Sequence, residues 1–153
     1  MPPKTDWPAL LPDGGLLNVS RDALVELAVR PFQHRDRRVE LTGRLFLWLD
    51  EVAALGVPLR IWVEGSSATT KPEPDDIDLC VLVDPAALNT LDDDQYARFE
   101  QLMDRAYVKA GYLLDVYVVD QNDTREQNEW LEMFGKGHDR KTVKGIFAMR
   151  ATP

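Results

Sequence analysis

The segment Ile77-Asp78-Leu79-Cys80-Val81-Leu82-Val83 constrains the fold of this chain more than any other. It is rich in strand formers, it ends at Asp84-Pro85, and apolar side chains occupy both of its faces. A strand apolar on both sides belongs inside a sheet that is covered above and below. The spacing therefore predicts a central strand, and the rest of the chain must supply both covers.

Leu59-Arg60-Ile61-Trp62-Val63 alternates and reads as a second strand running into a turn at Gly65-Ser66. Tyr112 to Val119 reads as a third strand and Val143 to Met149 as a last one. Ser20 is placed to cap a helix through Val29, stopped by Pro31, and a longer helix is expected from Val39 to Leu55, closed by Gly56. From Asp92 to Ala110 the residues Tyr96, Phe99, Met103, Ala106, Tyr107 and Ala110 recur at helical intervals, with Gly111 as the stop. A short helix from Arg125 to Phe134 ends at Gly135. Residues 1–18 carry Pro2, Pro3, Pro8, Pro12 and Asp13-Gly14-Gly15, and are expected to form an extended arm without regular structure, anchored by Trp7 and Leu10. Residues 19–153 then form one domain of α/β (α+β) class, a single mixed β-sheet flanked by helices.

Composition narrows what such a domain does. At 153 residues and 44% hydrophobic content the chain supports one core. No stretch approaches the about 18 uncharged apolar residues of a membrane span, and Met1-Pro2-Pro3-Lys4 opens no signal-type segment. The expectation is a soluble, unexported, cytoplasmic protein with no membrane partner. Cys80 is the only cysteine, which excludes an internal disulfide and a cysteine zinc site. A net charge of −8 argues against general coating of duplex nucleic acid, although the segment Lys136 to Arg150 carries +4 and leaves −12 elsewhere.

The acidic residues near the strands bear the chemistry. Side chains at i and i+2 of a strand share a face, so Asp76 and Asp78 point the same way, opposite to Ile77 and Leu79. Asp115 lies within Leu113-Leu114-Asp115-Val116-Tyr117-Val118-Val119, where an aspartate is a poor strand former among residues that favour burial. If the two strands are neighbours, Asp76, Asp78 and Asp115 form a cluster suited to Mg²⁺ or Mn²⁺, and two ions ~4 Å apart would clamp an in-line displacement. Gly65 permits close backbone approach, and Ser66 and Ser67 offer hydroxyls and amides to phosphate groups at an expected helix N-terminus.

Val63-Glu64-Gly65-Ser66, a nine-residue spacer, Asp76-Ile77-Asp78-Leu79 and a later Leu114-Asp115-Val116 together resemble the nucleotidyltransferase superfamily that includes DNA polymerase beta, poly(A) polymerases and the minimal nucleotidyltransferases of toxin–antitoxin pairs. The segment Gly65 to Asp78, with Trp130…Phe134-Gly135 and Lys144-Gly145-Ile146, is similar to a poorly characterised group of small bacterial and phage proteins of that fold. The resemblance implies a nucleotidyltransferase-like fold, an NTP donor and two Mg²⁺ (or Mn²⁺) ions on Asp76 and Asp78. It also implies Asp115 on the catalytic ion and Gly65 and Ser66 on the triphosphate. The acceptor would be a protein, an RNA end, a nucleotide or a small molecule. Minimal members often place Arg-Gly where this chain has Thr69-Thr70-Lys71, so Lys71, Arg140 and Lys141 become candidate phosphate contacts. The rival expectation is a catalytically silent binding or regulatory module of that fold with a protein partner. Trp62, Trp130 and Phe134 have strand or helix spacing that suits core packing better than base stacking, and His34 and His138 lack companions for a ligand set.

Overall fold

Ile77–Val83 has a strand on either side of it in the computed structural model, which describes residues 6–151. In chain order the elements are β1 (Leu16–Asn18), α1 (Arg21–Ala28), α2 (Asp36–Ala54), β2 (Leu59–Glu64), a 3-10 turn (Gly65–Ala68) and β3 (Ile77–Val83). A second 3-10 segment (Pro85–Thr90), α3 (Asp93–Met103), α4 (Arg105–Tyr112), β4 (Leu114–Asp120), α5 (Thr124–Phe134) and β5 (Ile146–Ala151) follow. They form one five-stranded mixed sheet of order β1-β5-β2-β3-β4, as expected of an α+β domain. The β2 strand is antiparallel to β3 and β5, whereas β3–β4 and β1–β5 are parallel.

The alternation of β3 sends Leu79 and Val81 to one face and Cys80 and Leu82 to the other, and each face finds its own cover. On the first lie α1 to α4, with Leu45, Trp48 and Leu49 of α2 fully buried against the sheet. The Trp48 indole N–H donates to the Leu102 carbonyl at 2.9 Å, so the largest buried ring has its polar atom satisfied. On the second face α5 packs through Trp130, Leu131 and Phe134 against Trp62, Cys80, Leu82, Val119 and Ile146. No helix among the described residues is long and apolar enough to cross a membrane.

Several expectations need correction. The N-terminal arm is not free of regular structure, because Leu16–Asn18 adds a parallel edge strand to β5. Its side chains, Leu16 and Leu17 included, are exposed, so β1 pairs through backbone groups and its three residues give no buried alternation to read. Leu10 packs on the core as expected, while Trp7 is 38% exposed; residues 1–5 lie outside the described residues.

The helix expected from Asp92 to Ala110 is two helices. Asp104 breaks it and caps α4, its carboxylate accepting from the Tyr107 amide at 2.9 Å. The break resets the buried face to Phe99 and Leu102 in α3 and Val108 and Tyr112 in α4, leaving Tyr96 and Tyr107 outward. Gly111 does not end α4; Leu113, in the left-handed region at φ 56°, does. Asp104→Ala is expected to cost ~1 kcal/mol in urea denaturation, the usual loss of a side-chain cap.

The last strand runs Ile146–Ala151, and Val143 instead bridges to Lys136. The long helix starts at Asp36, which brings Arg37 and Arg38 into its first turn.

Candidate functional site

The strand register assembles the acidic residues. Asp78 lies opposite Asp115 in the parallel β3–β4 pair and opposite Glu64 in the antiparallel β2–β3 pair. Glu64, Asp78 and Asp115 therefore form a row across three adjacent strands, on the face that α5 covers further along the sheet. Asp76, just ahead of β3, completes the group: carboxylate oxygens of Asp76, Asp78 and Asp115 all lie within 4.8 Å of one another, and each residue is half-buried.

Two members are paired with cations from α4. Lys109 forms an ion pair with Asp76, and Arg105 one with Asp115 at 3.0 Å. The Tyr117 hydroxyl donates to Asp115 Oδ2 at 3.0 Å and accepts from Arg105 Nη2 at 3.1 Å. No ion pair involves Asp78 among the described residues; burial, then the charges of Asp76 and Asp115, push its carboxyl up to about 7. Glu64 is more extreme. It is 1% exposed, neither carboxylate oxygen has a hydrogen-bond partner among the described residues, and burial followed by the charge of Asp78 pushes it up to about 9.

Gly65 is explained by this crowding. At φ +72° it occupies the left-handed region, and a Cβ built on it would overlap the Asp78 carboxylate. Only a bare backbone lets the turn pass so close to the acidic row. The expected helix N-terminus beyond it is a four-residue 3-10 turn. Ser67 is buried with its hydroxyl donating to the Glu64 carbonyl at 3.0 Å, so it braces the turn, while Ser66 is half-buried beside it.

The loop that follows is held by two arginines that sequence reasoning passed over. Arg38, 3% exposed, donates to the carbonyls of Ala28 and Ser67 at 2.9 Å, of Thr69 at 2.6 Å and of Lys71 at 2.8 Å. Its guanidinium carbon stands 3.8 Å from the centre of the Phe32 ring. Arg37 takes the far end, donating to Pro74 and Asp75 carbonyls at 3.0 and 2.5 Å. Lys71 thus enters the loop through its backbone, and its ammonium has no ion pair among the described residues. An arginine pair in a helix gives no sign in the sequence of which carbonyls it will meet. Glu64 left a fainter trace: it stands two residues after Trp62 on the same face, directly before Gly65.

The remaining candidates are elsewhere. Trp62 is core, and the Trp130 and Phe134 rings stack at 5.2 Å while packing α5 on the sheet through Tyr117. His34 and His138 are exposed. In the basic segment Lys136 pairs with Glu132, and Arg140 and Lys141 are exposed. Lys144 lies near enough for its charge to oppose the upward shifts of Glu64 and Asp78.

No curated protein and no solved structure matches the chain. A family model matches residues 3–150, nearly the whole length. The chain carrying this acidic row belongs to DUF6932, a family of unknown function.

Proposed function

We propose that the domain is a metal-dependent nucleotidyltransferase that moves an NMP group from an NTP to an acceptor hydroxyl and releases pyrophosphate. The observation that carries this reading is the meeting of Asp76, Asp78 and Asp115 beside the bare backbone of Gly65. The donor set fits Mg²⁺ or Mn²⁺, being all hard carboxylate oxygen. The charge balance fits as well, since the two ion pairs serve Asp76 and Asp115 and leave Asp78 without one among the described residues.

Asp76 and Asp78 would hold the two ions, and Asp115 would share one of them. When bound, such ions supply Lewis acidity to the attacking and leaving oxygens. Gly65 and Ser66 form the floor on which the triphosphate would lie. The acceptor oxygen bonds to the α-phosphorus as the bridge to the β-phosphate breaks. Asp115, oriented by the Tyr117 hydroxyl, would take the acceptor's proton. Positioning therefore carries much of the rate.

A second reading has its own observation. Lys109 and Arg105 already neutralise Asp76 and Asp115, which a catalytically silent binding module with a protein partner would also show.

Thermal denaturation with ATP, GTP, CTP and UTP, each with and without Mn²⁺, separates the readings, followed by transfer assays with α-labelled nucleotide. The enzyme is expected to show a Mn²⁺-dependent rise in Tm with at least one nucleotide, worth ~3 kcal/mol at a hundredfold excess over Kd, and Asp76→Asn/Asp78→Asn should lose it. A shift without label transfer favours the binding module; the absence of any shift rejects the nucleotide site.

A further inference from the structure

Both cations over the acidic row come from one helix face. Arg105 and Lys109 are four residues apart on α4, so they stand one turn apart on the same side. Their side chains are 60% and 51% exposed, whereas those of their partners Asp115 and Asp76 are 18% and 16% exposed. The charged heads thus enter the site from solvent on long stems, above a helix whose start is capped by Asp104. Ion pairs this open to water are weak and exchange readily.

Divalent ions on Asp76 and Asp115 would repel an ammonium and a guanidinium from the same oxygens. The two heads would then stand free at the mouth of the site, beside the Gly65 turn. Guanidinium matches phosphate oxygens through its planar fork, and ammonium serves as a point charge. The loop that resembles a phosphate-binding segment has no arginine of its own, and Lys71 is tied there through its backbone.

We propose that Arg105 and Lys109 form an exchangeable phosphate-binding pair. They neutralise Asp115 and Asp76 while no divalent ion is bound there, and move to the phosphate oxygens of the nucleotide once one is. The inference rests on the nucleotidyltransferase reading and adds two residues that the sequence pattern does not contain.

The test measures two affinities by calorimetry in the same buffer, Mn²⁺ alone and inorganic triphosphate at saturating Mn²⁺. It compares wild type, Arg105→Gln/Lys109→Gln, and the control Arg21→Gln/Arg30→Gln, at the start of α1 and just past its end, which removes the same net charge from another surface. Loss of the α4 pair is expected to tighten Mn²⁺ binding and weaken triphosphate binding, each by roughly tenfold. The control should shift neither by more than about twofold. If the α4 variant behaves like the control while wild type binds Mn²⁺, the exchange is overturned and the nucleotidyltransferase reading stands. If wild type binds no Mn²⁺, both fall together.

Discussion

Arg38→Met is expected to destabilise the domain by about 3–5 kcal/mol in urea denaturation, although it keeps most of the buried aliphatic stem. The guanidinium has no carboxylate partner among the described residues; its charge is spread over four backbone carbonyls and the face of Phe32. Burial lowers its pKa only to about 10, so it is charged at neutral pH. Removing it strands acceptors that belong to the backbone and cannot be replaced by apolar groups, so the loss falls on several carbonyls at once. Three of them lie in the segment Ser67 to Lys71, and the order of that segment goes with them. Arg38→Lys should recover part of the loss, because an ammonium keeps the charge with at most three donors and no fork. A Met variant within 1 kcal/mol of wild type would refute the anchoring role.

Glu64→Met is expected to do the opposite and stabilise the protein at pH 7, by on the order of 3 kcal/mol. The two buried ionisable groups differ in their company: Arg38 has four partners and Glu64 has none among the described residues. Glu64 rises from 4.5 to about 9 and Asp78 from 3.8 to about 7, so the folded state keeps protons that the unfolded chain gives up. Stability is therefore greatest below about pH 4 as far as these groups are concerned. Asp78's share is lost as pH rises towards about 7, and Glu64's as it rises towards about 9. Urea denaturation across pH 5 to 9 should show wild type falling and Glu64→Met falling less. Asp78→Asn should flatten the profile below about pH 7. Mn²⁺ should restore wild type at the alkaline end and leave Asp78→Asn unchanged. A level wild-type profile would mean that neither carboxyl is held protonated by burial.

Much of the fold was legible because its signals are local. Two-faced apolarity made Ile77–Val83 an interior strand, Ser20 capped α1, and Gly135 closed α5. The period of a strand placed Asp76 and Asp78 on one side before any partner strand was known. The single mixed sheet with helices on it follows from the order of those elements.

What the chain alone could not decide were meetings between distant segments. The register that sets Asp78 beside Asp115 and Glu64 depends on which strands pair and at what offset, and each strand is compatible with several. The edge strand β1 satisfies β5 with backbone groups that carry no side-chain pattern. Asp104 could extend a helix or cap one, and the buried positions of Phe99, Leu102, Val108 and Tyr112 settle that it caps. Arg38 reads as one more surface charge until the loop after Gly65 folds over it. Sequence by itself determined most of the elements and which residues of a strand share a face, since propensity and periodicity act over a few neighbouring residues. Only the tertiary structure decided which faces meet and which charges are buried, since those depend on free energies gained when remote segments close on one another.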